Sequence, residues 1–229
     1  MVTNTIEVNL QNVKIKSLKD KNEILVVKGS ESFLYLTHYL AKETIIKVRQ
    51  PKKYRHATID DEIVLSRMRF EARIIKILKS LKINVPTLYA VDQANNTIYL
   101  EYLKGKMLTD YLDNNSYFFN LGKIIARLHI SHILHSDINP QNVIISNNEI
   151  YLIDFGLAYI SDEIKDKVMD LFILKGSLKH FEVEKSFDIV MQGYAEVVDK
   201  HEFSKIKNQL DALSMKGRYK KVIPENNKQ

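Results

Sequence analysis

Apolar and polar positions alternate over short runs in the first half of the chain. The ranges 6–15, 23–27, 32–37 and 44–48 are rich in Ile, Val, Leu and Tyr, and Lys, Asp, Asn or Gly separate them. That pattern predicts four strands. Lys28-Gly29-Ser30 lies between two of them and reads as a hairpin turn. A polar, basic stretch covers 49–56. From 60 to 80 apolar residues fall at 63, 64, 65, 68, 74, 75, 77 and 78, which predicts a long helix buried along one stripe. Pro86 breaks helix. Two further strands are expected at 88–91 and 97–100, around Asn95-Asn96, a two-residue hairpin signal.

Beyond Glu101 the spacing changes. The range 107–112 reads as a short helix, 117–130 as a buried helix and 132–142 as a polar loop. Two short strands, 143–146 and 150–153, flank Asn147-Asn148. Helical spacing then fills 162–180, 186–199 and 202–215. The order is strands, one helix, strands, then mostly helices. It predicts an α+β chain of two lobes, 1–100 and 101–215, joined near 101–104, with a basic tail at 216–229. No internal repeat is visible.

Composition narrows the chemistry. The 229 residues include no cysteine, which excludes a disulfide scaffold, a thiolate zinc site, an iron–sulfur cluster and a cysteine nucleophile. No apolar run approaches the ~20 residues that cross a bilayer. The N-terminus lacks a basic stretch followed by an apolar one, so no signal peptide is read. Together these features lead us to expect a cytoplasmic protein with no membrane partner. The net charge of +6 comes from 34 Lys+Arg against 28 Asp+Glu. Lysine dominates the excess, which suits diffuse attraction of phosphates more than bidentate recognition.

The most informative stretch is His135-Ser-Asp-Ile-Asn-Pro-Gln-Asn142, followed by Ile153-Asp-Phe-Gly156. A carboxylate at Asp137, an amide at Asn142 and a second carboxylate at Asp154 form an oxygen-rich set of the kind that Mg²⁺ prefers. A hairpin between Asn142 and Asp154 would return the chain so that the two can meet. Phosphoryl transfer asks a protein for an orienting carboxylate and for ligands that hold metal against phosphates.

These two motifs, in this order and spacing, resemble the catalytic loop and metal motif of the protein-kinase-like fold. The resemblance implies a bilobal fold that binds ATP and Mg²⁺. It implies that Asp137 orients or deprotonates the acceptor while Asn142 and Asp154 hold metal. Lys47, ending Ile45-Ile46-Lys47, takes the place of the phosphate-holding strand lysine, and Glu71, mid-helix, that of its partner. A surface charge is the competing reading of Glu71, which has Arg67, Arg69 and Arg73 as neighbours. Glu101-Tyr102-Leu103 resembles the hinge whose backbone reads the adenine edge. Departures are plain. One glycine, Gly29, stands with Ser30 where a glycine-rich loop is usual. Ser136 replaces the usual arginine. No long activation segment or Ala-Pro-Glu motif follows Gly156.

Within this superfamily the chain resembles a small Rio-like branch, the atypical kinase subunit of the KEOPS complex, in its archaeal form. The carrying segments are 47–56 (Lys47-x-Arg49-x-Pro51-Lys52-x-Tyr54-Arg55-His56), Asp60 to Arg73, 164–171 (Ile164-Lys-Asp-Lys-Val-Met-Asp170-Leu171) and 216–221. They span nearly the whole chain, 25–222. The family usually has Gly where Ser136 stands. The resemblance implies a serine/threonine kinase and ATPase that supports threonylcarbamoyl adenosine formation in tRNA. It also implies partners: the catalytic threonylcarbamoyl-transfer subunit, a small subunit on the N-lobe, and tRNA. Lys52, Lys53, Arg55, Arg218, Lys220 and Lys221 are the candidate RNA or partner contacts, and solvated charge is the plain alternative. A Rio-like or small-molecule kinase, echoed by Asn139-Pro140, or a tRNA-binding scaffold on a kinase fold are rival readings. His129, on an apolar helix, reads as a satisfied core residue.

Overall fold

The structure, a computed structural model, describes residues 24–28, 32–49 and 57–219. They form two compact units. The first takes the described residues up to Arg73 together with Pro86–Tyr102, and the second takes Ile74–Val85 and the described residues from Leu103 onward.

The first unit is built on a sheet of β1 (Ile24–Lys28), β2 (Ser32–Tyr39), β3 (Lys42–Arg49), β4 (Leu88–Asp92) and β5 (Thr97–Glu101). Its order is β1-β2-β3-β5-β4, and every pairing is antiparallel. The central strand β3 sets Lys47 opposite Leu34 on one side and Ile98 on the other. Helix α1 (Ala57–Ser80) follows β3 and extends into the second unit. Its Val64, Met68 and Ala72 are buried, as are Ile46 and Ile98 of the sheet.

Two turns of this sheet have causes that the sequence pattern does not show. β2 and β3 close through Leu40 and Ala41, both left-handed at φ 50° and 62°, although neither is a residue that favours that region. Between β4 and β5 the loop is four residues, because Asp92 Oδ1 accepts the N–H groups of Ala94 and Asn95 at 3.1 and 3.2 Å. The Asp92 side chain shapes the turn together with the asparagine pair: Asn95 Nδ2 donates to Asp92 Oδ2 at 2.7 Å, and Asn96 is left-handed at φ 50°.

In the second unit come β6 (Lys106–Met107), a 3₁₀ turn at Leu108–Tyr111, α2 (Asn115–Ile130) and β7 (Ile133–Leu134). A second 3₁₀ turn at Pro140–Asn142 leads into β8 (Val143–Ser146) and β9 (Glu149–Leu152). Then follow β10 (Tyr159–Ile160), α3 (Ile164–His180), α4 (Ser186–Ala195) and α5 (Lys200–Tyr219). The expected helix at 107–112 is thus a 3₁₀ turn, because Lys106 and Met107 pair with Ile145 and Ile144 of β8. Helix α4 stops at Ala195 and not at 199. Asp199 serves as the N-cap of α5, its Oδ1 accepting the N–H of His201 at 2.8 Å. The expected tail begins later than Lys216, since α5 continues to Tyr219.

The core of this unit packs α2 against α4. Gly122 and Gly193 permit the approach: a Cβ at Gly122 would strike the Val190 carbonyl, and one at Gly193 the Phe119 carbonyl. Phe118, Leu121, Ile125, Leu128 and Tyr194 are buried around that crossing.

Candidate functional site

In the first unit, strand alternation sends Lys47 and Arg49 to the same face of β3. Glu71 meets both. Lys47 Nζ donates to Glu71 Oε1 at 2.7 Å, and Arg49 Nη2 donates to Oε2 at 2.5 Å. Glu71 is 1% exposed, so it is no surface charge. The kinase resemblance implied the pairing of Lys47 with Glu71 and gave no role to Arg49 as a second partner. At the end of β5, Glu101 Oε2 accepts the Thr87 N–H at 2.9 Å and the Thr87 hydroxyl at 2.6 Å. Both the side chain and the backbone N–H of Glu101 are engaged with Thr87, the N–H donating to the Thr87 carbonyl at 2.8 Å, and the Tyr102 N–H donates to the Glu43 carbonyl at 3.2 Å. Leu103, in the second unit, is buried.

In the second unit, the loop after β7 brings Asp137 and Asn142 together. Asn142 Nδ2 donates to the Asp137 carboxylate and to its backbone carbonyl, each at 2.9 Å. Pro140 starts the 3₁₀ turn that makes this possible, and Asn139 caps it by accepting the Gln141 N–H at 2.9 Å. Asn139 Nδ2 also reaches Asp137 Oδ1 at 3.4 Å. The β8–β9 hairpin turns at Asn147 and Asn148, left-handed at φ 51° and 61°. Such a two-residue turn matches the twist of the strands it joins. It carries the chain back until the Ile153 N–H donates to the Asn142 carbonyl at 3.0 Å. Asp154 follows at φ 61°, its Oδ1 accepting the Gly156 N–H at 3.2 Å. His135 is fully buried. Its Nε2–H donates to the Ile153 carbonyl at 3.1 Å, and its ring lies 4.7 Å from that of Phe155.

One residue that sequence reasoning did not assign to the site fixes this loop. Asp170, on α3 and 2% exposed, accepts the backbone N–H of His135 at 2.9 Å and of Ser136 at 2.8 Å. His129 Nε2 lies 3.2 Å from the same carboxylate, and His129 Nδ1 is 2.8 Å from the Tyr194 hydroxyl. Both ring nitrogens of His129 are therefore satisfied. Burial alone would raise the Asp170 carboxyl's pKa. The His129 hydrogen bond and charge, the His135 charge and its N–H outweigh burial, and the carboxyl is held below its ordinary range. A buried charge at 170 in the 164–171 segment was the available signal, because an aspartate in a core needs hydrogen-bond donors. Lys167 of the same segment is also buried and pairs with Glu202 of α5 at 2.5 Å.

Among the described residues no three His, Cys, Asp or Glu side chains gather as a metal cluster. The Asn142 amide oxygen and the Asp154 carboxylate are hard donors. One or two carboxylates completed by phosphate oxygens and water are what Mg²⁺ requires, so the donor set fits that ion. Gly29, Ser30, Lys52, Lys53, Arg55, Lys220 and Lys221 lie outside the described residues, and Arg218 falls in the last turn of α5. No helix among the described residues is long and apolar enough to cross a membrane.

Comparison with known proteins gives a consistent result. Residues 28–174 match the protein kinase domain. A probable bifunctional tRNA threonylcarbamoyladenosine biosynthesis protein of Methanobrevibacter smithii is 37% identical over 198 residues, covering 85% of this chain and 36% of that protein. Its namesake in Methanothermobacter thermautotrophicus is 34% identical with the same coverage. The EKC/KEOPS complex subunit bud32 of Dictyostelium discoideum is 34% identical over 190 residues, covering 76% of this chain and 75% of that protein. The chain thus spans about a third of the length of these archaeal relatives and most of the shorter eukaryotic one.

Proposed function

Since the chain belongs to the protein kinase family, and within it to the group of the KEOPS kinase subunit, we propose that it is an ATP-dependent phosphotransferase and ATPase serving tRNA threonylcarbamoylation. The observation that carries this reading is the Asp137–Asn142 pair. With its amide N–H groups given to Asp137, Asn142 presents its remaining group, the amide oxygen, to a cation. The neighbouring Asp154 adds a carboxylate. Bound Mg²⁺ would neutralise phosphate charge.

Asp137 orients the acceptor hydroxyl or water and takes its proton. Its carboxylate is held in place by Asn142, and the loop carrying it is tied down by Asp170 through two backbone N–H groups. Lys47 holds phosphate oxygens, and Glu71 holds Lys47. The kinase resemblance assigns the adenine edge to backbone groups at Glu101 and Leu103, and the phosphates to Gly29 and Ser30, which lie outside the described residues.

The acceptor is either a serine or threonine hydroxyl or water. Helix α3 begins at Ile164, within ten residues of Gly156, so little chain is available for a peptide platform. That favours water as the usual acceptor. The partners we propose are the KEOPS subunits and tRNA, which places the protein in the cell interior. Leu157, Tyr159, Ile160 and Met169 are exposed large apolar side chains within fourteen residues of Gly156, and they suit a protein partner.

The test is ATP turnover with partner subunits and tRNA present. Asp137→Ala and Asp154→Ala are each expected to lose at least ~10²-fold. Undiminished turnover in either variant contradicts the assignment.

A further inference from the structure

We infer that Arg49 is a positioning residue for nucleotide binding: it holds Glu71 by the oxygen that Lys47 does not use, and so keeps Lys47 presented to phosphate. The inference rests on the nucleotide-binding reading above and adds a residue to it.

Three observations carry it. The first is geometric division of one carboxylate: Lys47 Nζ takes Oε1 at 2.7 Å, and Arg49 Nη2 takes Oε2 at 2.5 Å. The second is burial. The side chains of Lys47, Arg49 and Glu71 are 6%, 5% and 1% exposed, so these are charge-assisted bonds shielded from water and salt. The third is anchorage. The Arg49 N–H donates to the Asn96 carbonyl at 3.0 Å, and Arg49 faces Ser32 across the ladder. Its backbone is thereby fixed on both sides, at the end of the strand, two residues from Lys47.

The consequence concerns what happens when phosphate arrives. An ammonium bound to a carboxylate must divide itself between that carboxylate and the phosphate oxygens. If it were the carboxylate's sole cation, Glu71 would follow it or release it, and α1 would lose its tie to β3. With Arg49 on the other oxygen, Glu71 stays in place while Lys47 shares its protons with phosphate. Arg49 also draws electron density from the carboxylate and weakens its claim on Lys47. Guanidinium suits this part because it stays protonated when buried and offers several N–H donors from a rigid fork. The basic segment 47–56 therefore has an inward-facing member, and Arg49 does not belong to the charge that the segment shows to an RNA.

The test uses the full chain and MgATP, read as the rise of Tm with nucleotide concentration, from which the half-saturating concentration follows. Lys47→Met serves as the control that loses the response. Arg49→Met is expected to raise the half-saturating MgATP concentration at least tenfold, and Arg49→Lys to restore it to within about threefold of the parent chain. A purely structural role would lower the Tm without nucleotide and leave half-saturation unchanged. That outcome overturns the inference. Should Arg49→Met fail to fold, Arg49→Gln keeps an N–H donor toward Glu71 without the charge. It is expected to raise half-saturation at least threefold, and an unchanged value again overturns the inference. A parent chain whose Tm does not respond to MgATP at all contradicts the nucleotide-binding reading itself, which is a separate failure.

Discussion

Replacing Asp170 with asparagine removes one oxygen acceptor and changes no shape. Asp170 accepts three bonds: Ser136 N–H on Oδ1, and His135 N–H and His129 on Oδ2. Asparagine has one acceptor oxygen and one donor nitrogen. With its oxygen at the first position it serves Ser136, and its nitrogen then faces the His135 N–H. The flipped rotamer serves His135 and opposes Ser136. Either way one buried backbone donor loses its acceptor, at roughly 1–3 kcal/mol, and the surviving bond loses its charge assistance, at about 1 kcal/mol more. The total is about 2–4 kcal/mol. For a chain of this size that corresponds to a Tm lower by roughly 4–16 °C. Thermal unfolding followed by circular dichroism reads it, and a fall under about 2 °C would refute the account. The same pair of proteins carries a pH signature. The Asp170 carboxyl is depressed in the folded chain relative to its ordinary 3.8. Its stabilisation is therefore complete above that value and is lost as pH falls through the lower folded value. The stability difference between parent and variant is expected to hold from pH 7 to 5 and to shrink only below about pH 4. A difference that closed between pH 7 and 5 would count against the carboxylate's role.

Two further substitutions probe the backbone. Ser136 sits at φ 65°, which costs an L-residue roughly 1–2 kcal/mol, while glycine gives back roughly 0.5–1 kcal/mol in unfolded-state freedom. Ser136→Gly keeps the N–H that Asp170 accepts and is expected to raise the Tm by roughly 1–4 °C, and a lower Tm would contradict this. Gly193→Ala places a methyl against the Phe119 carbonyl, forcing α4 away from α2. Overpacking of this kind costs about 1–3 kcal/mol, so an unchanged melting curve would show that the helix pair has more slack than its geometry allows.

Much of this was legible in the sequence because the signals are local. Period 3.6 at 60–80 gave α1, and Asn147-Asn148 gave the β8–β9 hairpin, since asparagine tolerates positive φ. The return of the chain from Asn142 toward Asp154 was legible from that hairpin, whereas the Asp137–Asn142 hydrogen bond depends on the 3₁₀ turn that Pro140 starts. What stayed hidden has long-range or context-dependent causes. Leu40-Ala41 adopts a left-handed turn that neither residue advertises, because the β2–β3 register imposes it. The start of α5 at Lys200 depends on Asp199 capturing N–H groups, in competition with continued helix from α4. Arg49 and Asp170 sat inside segments recognised as unusual. Their roles depend on which backbone or carboxylate lies across the fold, and no spacing within either segment reveals that.

The geometry of the Asp137 loop is held by contacts that come from the short stretch after it. His132, Ser136 and Asp154 all have positive φ, at 59°, 65° and 61°. Such strain persists only where surrounding bonds over-determine it. Here the His132 carbonyl accepts the Ser161 N–H at 2.9 Å, the Ser136 N–H goes to Asp170, and Asp154 accepts from Gly156. β10 pairs with β7, setting Tyr159 opposite Leu134 just before His135. Every one of these partners lies between 156 and 170. That stretch makes these bonds without any added phosphate. Ser136 stands where the kinase resemblance expects an arginine, and its N–H is one of the two that Asp170 accepts. Asp170 and β10 hold this loop by bonds internal to the folded chain, so its geometry is set when the chain folds.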